Sequence, residues 1–228
     1  MTYQVKILKL IRDVVYLFLF FSASVIAQVE GVEYGWEEKR NKDNIKIFTS
    51  DVNGSSFSAV RGEMRIKGTV PALVALVNDL PNCSSWADLC RESILIKAVS
   101  ETEKFIYVYN DTPFPIKDRD VVVHVFWSKD KETNRVSMRS SAVKLEESEQ
   151  LKPMIGSAVR LTDAVSQWHF TPLDDGYVLV ENFAHIDPNG PTPAWITNLL
   201  LVESPFKTMK NMREIIQAGK YSDEIERF

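Results

Sequence analysis

Asp118, Asp120 and His124 recur at two- and four-residue spacing, Glu181 and His185 stand four apart, and Cys83 and Cys90 are the two cysteines of the chain. Each group has a chemistry within reach. Carboxylates and an imidazole on one strand face are ligands for a divalent metal, and a glutamate sharing a face with a histidine is an acid–base couple. Against the metal stand Arg119, between the two carboxylates, and the turn that Asp118 and Asp120 flank, where carboxylates commonly satisfy backbone amides. Arg119 and Asp120 are therefore assigned a structural role, fixing a loop through an ion pair or hydrogen bonds, and no metal is expected. Glu181 and His185 read as a hydrogen-bonded polar patch. His124, His169 and His185 fall in no Gly-x-Ser-x-Gly elbow and no His-Glu-x-x-His pair, and nine glycines supply no phosphate-binding loop. No catalytic residue, no cofactor and no enzymatic activity are expected.

Cys83 and Cys90 have six residues between them. On a continuous helix they would lie roughly 10 Å apart at 1.5 Å per residue, beyond the reach of a disulfide. A bridge requires residues 82–90 to be looped, which Pro81-Asn82 and Ser84-Ser85 favour. The alternative is two buried free thiols. The chain offers no further cysteine or neighbouring histidine to complete a metal site.

The compartment follows from the N-terminus. Lys6, Lys9 and Arg12 precede the apolar run Val14–Phe21, and Ser22-Ala23-Ser24-Val25-Ile26-Ala27 follows it. That order is a secretory signal, with Val25 and Ala27 at the recognition positions and cleavage before Gln28. The apolar run is shorter than the ~20 residues of a spanning helix, so a cleaved signal over residues 1–27 is expected in preference to an anchor. The exported chain, 28–228, would be periplasmic or secreted, where a disulfide persists. Removing Lys6, Lys9, Arg12 and Asp13 from 27 basic and 31 acidic residues leaves 24 against 30, a formal charge of −6. This balance excludes a nucleic-acid partner, which would call for a basic patch. About 200 residues without repeat or linker predict one domain, expected as a monomer.

The elements that must position these residues come in three blocks. Ile45–Thr49, Ser56–Val60 and Glu63–Thr69 read as strands, with Asn53-Gly54 as a turn. Pro71–Leu80 places Leu73, Leu76, Val77 and Leu80 at helical spacing. Six further strand runs follow: Ser93–Val99, Lys104–Tyr109, Val121–Trp127, Arg135–Ala142, Ala158–Phe170 and Tyr177–His185. Short connections between them indicate a meandering antiparallel sheet. Thr192 caps and Pro193 opens a long helix whose Trp195, Leu199, Val202, Phe206, Met209 and Ile216 form one apolar face. Pro205, inside it, predicts a kink.

The stretch Pro113-Phe114-Pro115-Ile116-Lys117-Asp118-Arg119-Asp120 resembles the central motif of START (StAR-related lipid-transfer) domains. Trp86 after the first helix, Val159-Arg160 with Trp168 before Pro172-Leu173, and Asp187–Asn198 leading into the last helix are similar to that family in the same order. Together they cover most of residues 34–215. The resemblance implies an α+β helix-grip fold, a curved antiparallel β-sheet wrapped around a long C-terminal α-helix, enclosing a tunnel for one hydrophobic molecule or lipid. It implies a gate loop at Asn110–Lys117, with Phe114, Ile116, Arg119 and Asp120 as its key residues. Some sterol-binding members carry an acidic–basic pair inside the cavity, and an ungapped match puts Ile106 and Val125 there, which disfavours a sterol.

Strand alternation puts Val121, Val123, Val125 and Trp127 on one face, shared by Ile106 and Val108, and these are the expected ligand-binding residues with Trp195 and Leu199 of the helix. Apolar contact suits a lipid because each methylene hidden from water contributes about 0.8 kcal/mol. The other fate of such residues is a filled core. The Trp195-Ile196 and Leu199–Val202 stretch closes the cavity, or part of it touches a membrane transiently, with Lys207, Lys210 and Arg213 suited to headgroups. The expected function is non-catalytic binding and shuttling of a lipid-like ligand. A helix-grip enzyme resembling polyketide cyclases, with His185, Glu181 or Asp187 as acid–base groups, is the alternative, and an interaction module with a filled core is a third.

Overall fold

The computed structural model describes residues 34–143, 158–189, 196 and 199–224. The signal segment, residues 1–27, and Thr192, Pro193 and Trp195 lie outside them. Chain order is β1 (Glu37–Lys42), β2 (Ile45–Ser50), β3 (Ala59–Lys67), α1 (Val70–Asn78), a 3-10 turn (Leu80–Ser85), β4 (Cys90–Ala98), β5 (Glu103–Asn110), β6 (Arg119–Lys129), β7 (Val136–Ala142), β8 (Val159–Arg160), β9 (Ala164–Pro172), β10 (Tyr177–Ile186), a π-helical turn (Leu199–Glu203) and α2 (Ser204–Gln217). The strands form one 10-stranded sheet in the order β1-β2-β3-β10-β9-β7-β6-β5-β4, antiparallel except that the short β8 lies parallel to β6. The sheet is curved and α2 packs against its concave face, the helix-grip architecture.

Alternation sorts the strands into an inward and an outward set. Cross-strand pairs Val136↔Phe170, Phe170↔Val180 and Val180↔Met64 form one inward row. These residues belong to a core that also takes Leu73 and Leu76 of α1 and Phe206, Met209, Met212 and Ile216 of α2. Each such buried side chain contributes roughly 1.5–3 kcal/mol. Gly62 of β3 sits where α2 comes nearest: a Cβ there would stand 2.5 Å from Met209 Sδ and 3.3 Å from Ile47 Cδ1. Absence of a side chain sets how closely the helix seats.

Several elements depart from the pattern read along the chain. β1 is an edge strand of sequence EEKRNK, with no apolar alternation to announce it; it is joined to β2 by Asp43-Asn44, both at positive φ (53° and 57°) as a two-residue hairpin turn requires. Ser56–Val60 and Glu63–Thr69 are not two strands, because β3 runs unbroken through Gly62. Ala158–Phe170 is divided: β8 takes its register from β6, with Val159 N–H donating to Asp118 O and Leu161 N–H to Asp120 O, and β9 begins after the turn. The first helix starts at Val70, capped by Thr69, whose Oγ1 accepts from Ala72 N–H, with Pro71 in the first turn. At Pro205 the outcome is a change of helix type. The π-helical turn Leu199–Glu203 runs directly into α2, and the widened turn accommodates the amide that Pro205 lacks.

Candidate ligand cavity

At one end of the concave face the inward residues become small. Ser140 pairs with Ser166, Ser166 with Ala184, and Ala184 with Val60, in one continuous row across β7, β9, β10 and β3. One row further in, Met138, Trp168 and Asn182 already fill the space up to Gly62. Ser166, Ala184 and Val60 of this row line a cavity of about 470 Å³, within the ~300–1,000 Å³ of small-molecule sites.

Four segments wall it. The sheet supplies Val60, Ser166, Trp168, Asn182 and Ala184; the loop before β3 supplies Ser56, Phe57 and Ser58; α2 and the turn before it supply Leu200, Leu201, Ser204 and Thr208. Asn110, Thr112, Ile116 and Arg119, from β5, β6 and the loop between them, face Asp88, Leu89, Leu161, Pro188 and Ile196 to complete it. Polar groups on this wall are largely engaged. Asn182 Nδ2 donates to Gln167 O at 3.0 Å. Arg119 Nε donates to Pro188 O at 3.1 Å and Nη1 donates to Lys117 O; burial pulls its guanidinium below the ordinary arginine value.

The loop between β5 and β6 is held by Asp118, which accepts from Tyr109 Oη (2.6 Å) and Thr112 N–H (2.9 Å). These donors, the Tyr109 hydroxyl first, hold its carboxyl below the usual range against the opposing effect of burial. Of the residues expected in this loop, Ile116 and Arg119 line the cavity and Phe114 is 94% exposed at the tip. Asp120 and Arg119 do not pair with each other. As successive strand residues they point to opposite faces, and Asp120, fully buried, is gripped by Arg160 (Nε–Oδ1 2.8 Å, Nη2–Oδ2 3.0 Å) and by Tyr107 Oη (3.1 Å).

The expected sleeve residues lie on the concave face but not on the wall of this cavity. Ile106, Val125 and Trp127 are buried in the filled core, with Val108 and Val123 packed against it. Val121 is buried and Leu199 half-buried, and neither lines the cavity. Ile106, Val125 and Trp127 pack into the core with Leu73 and Leu76 of α1 and Phe206 and Met209 of α2, whereas Ser166, Ala184 and Val60 share the cavity with Leu201, Ser204 and Thr208. Trp168, Asn182 and Ala184 were within reach of the alternation in β9 and β10, but the row that makes the space is visible only once the strand register is known.

The remaining polar groups take up other partners. His124 Nε2 meets Glu103 Oε1 at 2.8 Å. Glu181 pairs with Arg135, so it forms no couple with His185, whose Nε2 meets Ser55 Oγ (3.0 Å) and Phe57 O (3.1 Å). His169, on the outward face, meets Ser137 Oγ through Nδ1 at 2.8 Å. Among the described residues no cluster of His, Cys, Asp and Glu is arranged to hold a metal. Cys83 and Cys90 are bridged, their Cα atoms 5.9 Å apart, because the 3-10 turn and the loop after it fold residue 83 back to the start of β4.

This geometry can be set beside known proteins. A family model of the START domain matches residues 22–221. The chain belongs to the START domain family. A STAR-related lipid transfer protein from Xanthomonas axonopodis superposes with a TM-score of 0.70 at 31% identity, over 80% of this chain and 99% of that one. Human StAR-related lipid transfer protein 5 superposes with a TM-score of 0.72 at 15% identity, over 95% and 97% of the two chains, which shows the shared fold. An uncharacterized protein from Pseudomonas aeruginosa is 29% identical over 178 residues, 78% of this chain and 85% of its own.

Proposed function

We propose that this START domain binds one hydrophobic, lipid-like molecule in the cavity beneath α2 and carries it without altering it chemically. The observation that carries the reading is the row Ser166, Ala184 and Val60, which lines a cavity of about 470 Å³ on the concave face. Burial of a methylene chain there contributes about 0.8 kcal/mol for each group taken from water. The lipid transfer proteins that share the fold add support. None of the three histidines stands on the cavity wall and each holds a hydrogen bond elsewhere in the fold, which favours carriage over acid–base chemistry. The loop at Asn110–Lys117, whose Ile116 stands on the cavity wall and whose Phe114 stands in solvent, serves as the gate and touches a membrane transiently during exchange. The packed residues Ile106, Val108, Val121, Val123, Val125 and Trp127 form the floor beside the ligand.

Export is part of the proposal. It is supported by the signal-like order of residues 1–27 and by the Cys83–Cys90 bridge, at home in an oxidising compartment. No helix among the described residues is long and apolar enough to cross a membrane.

The test is to fill the space. Ala184→Phe introduces a ring into the small-residue row; the variant should fold and unfold as the parent does but fail to extract lipid from liposomes that the parent depletes. Equal extraction by both would place the ligand elsewhere.

A further inference from the structure

One group on the cavity wall is left without a partner. Asp88 lines the cavity, and its Oδ2 is buried with no hydrogen-bond donor among the described residues. A buried carboxylate oxygen without a donor is destabilising, and native proteins rarely keep one without a use.

The segment carrying it is fixed from several sides. It lies inside the loop closed by Cys83–Cys90. Asp88 N–H donates to Thr208 Oγ1 of α2 at 3.0 Å, and Asn211 Nδ2 donates to Trp86 O at 3.3 Å. On its other flank Leu89 O accepts from Asp111 N–H at 2.9 Å, and Leu89 itself is held at φ +69°, a left-handed conformation that a leucine adopts only when its surroundings impose it. Helix, sheet and disulfide together keep Asp88 against the cavity. The neighbouring walls from Leu161, Leu200 and Leu201 are apolar.

We propose that Asp88 receives the polar end of the bound molecule, which therefore carries an O–H or N–H donor: the site takes an amphiphile with a hydroxyl or ammonium group at the end of an apolar chain. This rests on the cavity being the ligand site. The carboxylate accepts the donor, and the apolar chain lies along the wall. A hydrogen bond to a charged acceptor separates donor-bearing ligands from their donorless analogues by about tenfold or more.

The experiment uses the exported chain, stripped of bound lipid, and three probes of equal chain length: tetradecanol, tetradecylamine and tetradecyl methyl ether. The parent should bind the alcohol or the amine at least about tenfold more tightly than the ether, and which of the two gains more tells hydroxyl from ammonium. In Asp88→Ala the preference should disappear while the ether binds as before, and the ligand-free variant should melt at a higher temperature than the parent, because a buried carboxylate oxygen without a donor has been removed. Binding of all three probes with equal affinity by the parent overturns the role of Asp88 and leaves the cavity reading standing. A lower melting temperature with the preference retained makes Asp88 structural and also overturns it. Failure of every probe to bind overturns both.

Discussion

Asp120 and Arg160 form the most deeply buried charged contact around the site, with side chains 0% and 11% exposed. Together with Tyr107 they tie β6 to β8 directly beneath the loop that borders the cavity. Removing one member leaves the other charge buried, so Arg160→Met should lower the unfolding free energy by about 3–5 kcal/mol, measured by urea denaturation. His169 gives a second residue-level outcome. Burial, and then the nearby Arg135 cation, lower its pKa from 6.5 to about 4. Between these values the unfolded chain takes up a proton that the folded chain resists, so stability falls as pH drops from 6.5 towards 4 and is level above. Denaturant midpoints measured at pH 7 and pH 5 should show the loss in the parent, and His169→Gln should lessen it.

At the scale of elements, the loop between β5 and β6 answers to Arg119, which reaches across to Pro188 O and back to Lys117 O. Arg119→Ala removes both ties while Asp118 keeps its own donors. Bound lipid should dissociate several-fold faster, with the unfolding free energy lowered by no more than the ~1.5–3 kcal/mol of a hydrogen bond to a charged group; unchanged dissociation would show that the ties do not govern exchange. Much of this scaffold was legible in the chain. Runs of β-branched and aromatic residues marked β4–β7 and β10, helical spacing marked α1, and the Pro113–Asp120 stretch led to the family. β1 was not, because an edge strand made of EEKRNK has no buried face to leave a pattern. The cavity wall was missed for a different reason: whether an inward valine such as Val125 faces a ligand or a helix depends on where α1 and α2 lie across the sheet, and alternation reports the face alone. Asp88 carried no signal either, since a single aspartate in a loop is ordinary until its carboxylate is found without a partner.

For the whole molecule, the fold joins a rigid half to an open one. Large side chains from Ile45 to Trp127 close-pack with α1 and α2 over one part of the concave face; where Ser166, Ala184 and Val60 meet the start of α2, the same sheet encloses space. A carrier needs both, since the packed half holds the shape that the open half presents to its cargo. The central claim is that the cavity holds one hydrophobic molecule. Native mass spectrometry of the protein recovered from its exported location tests it most directly, with a denatured sample giving the mass of the polypeptide and hence its N-terminus. The account predicts a chain beginning at Gln28 that carries one organic-extractable molecule per polypeptide, lost from Ala184→Phe. Recovery of the bare polypeptide alone, which then takes up nothing from liposomes, would contradict it.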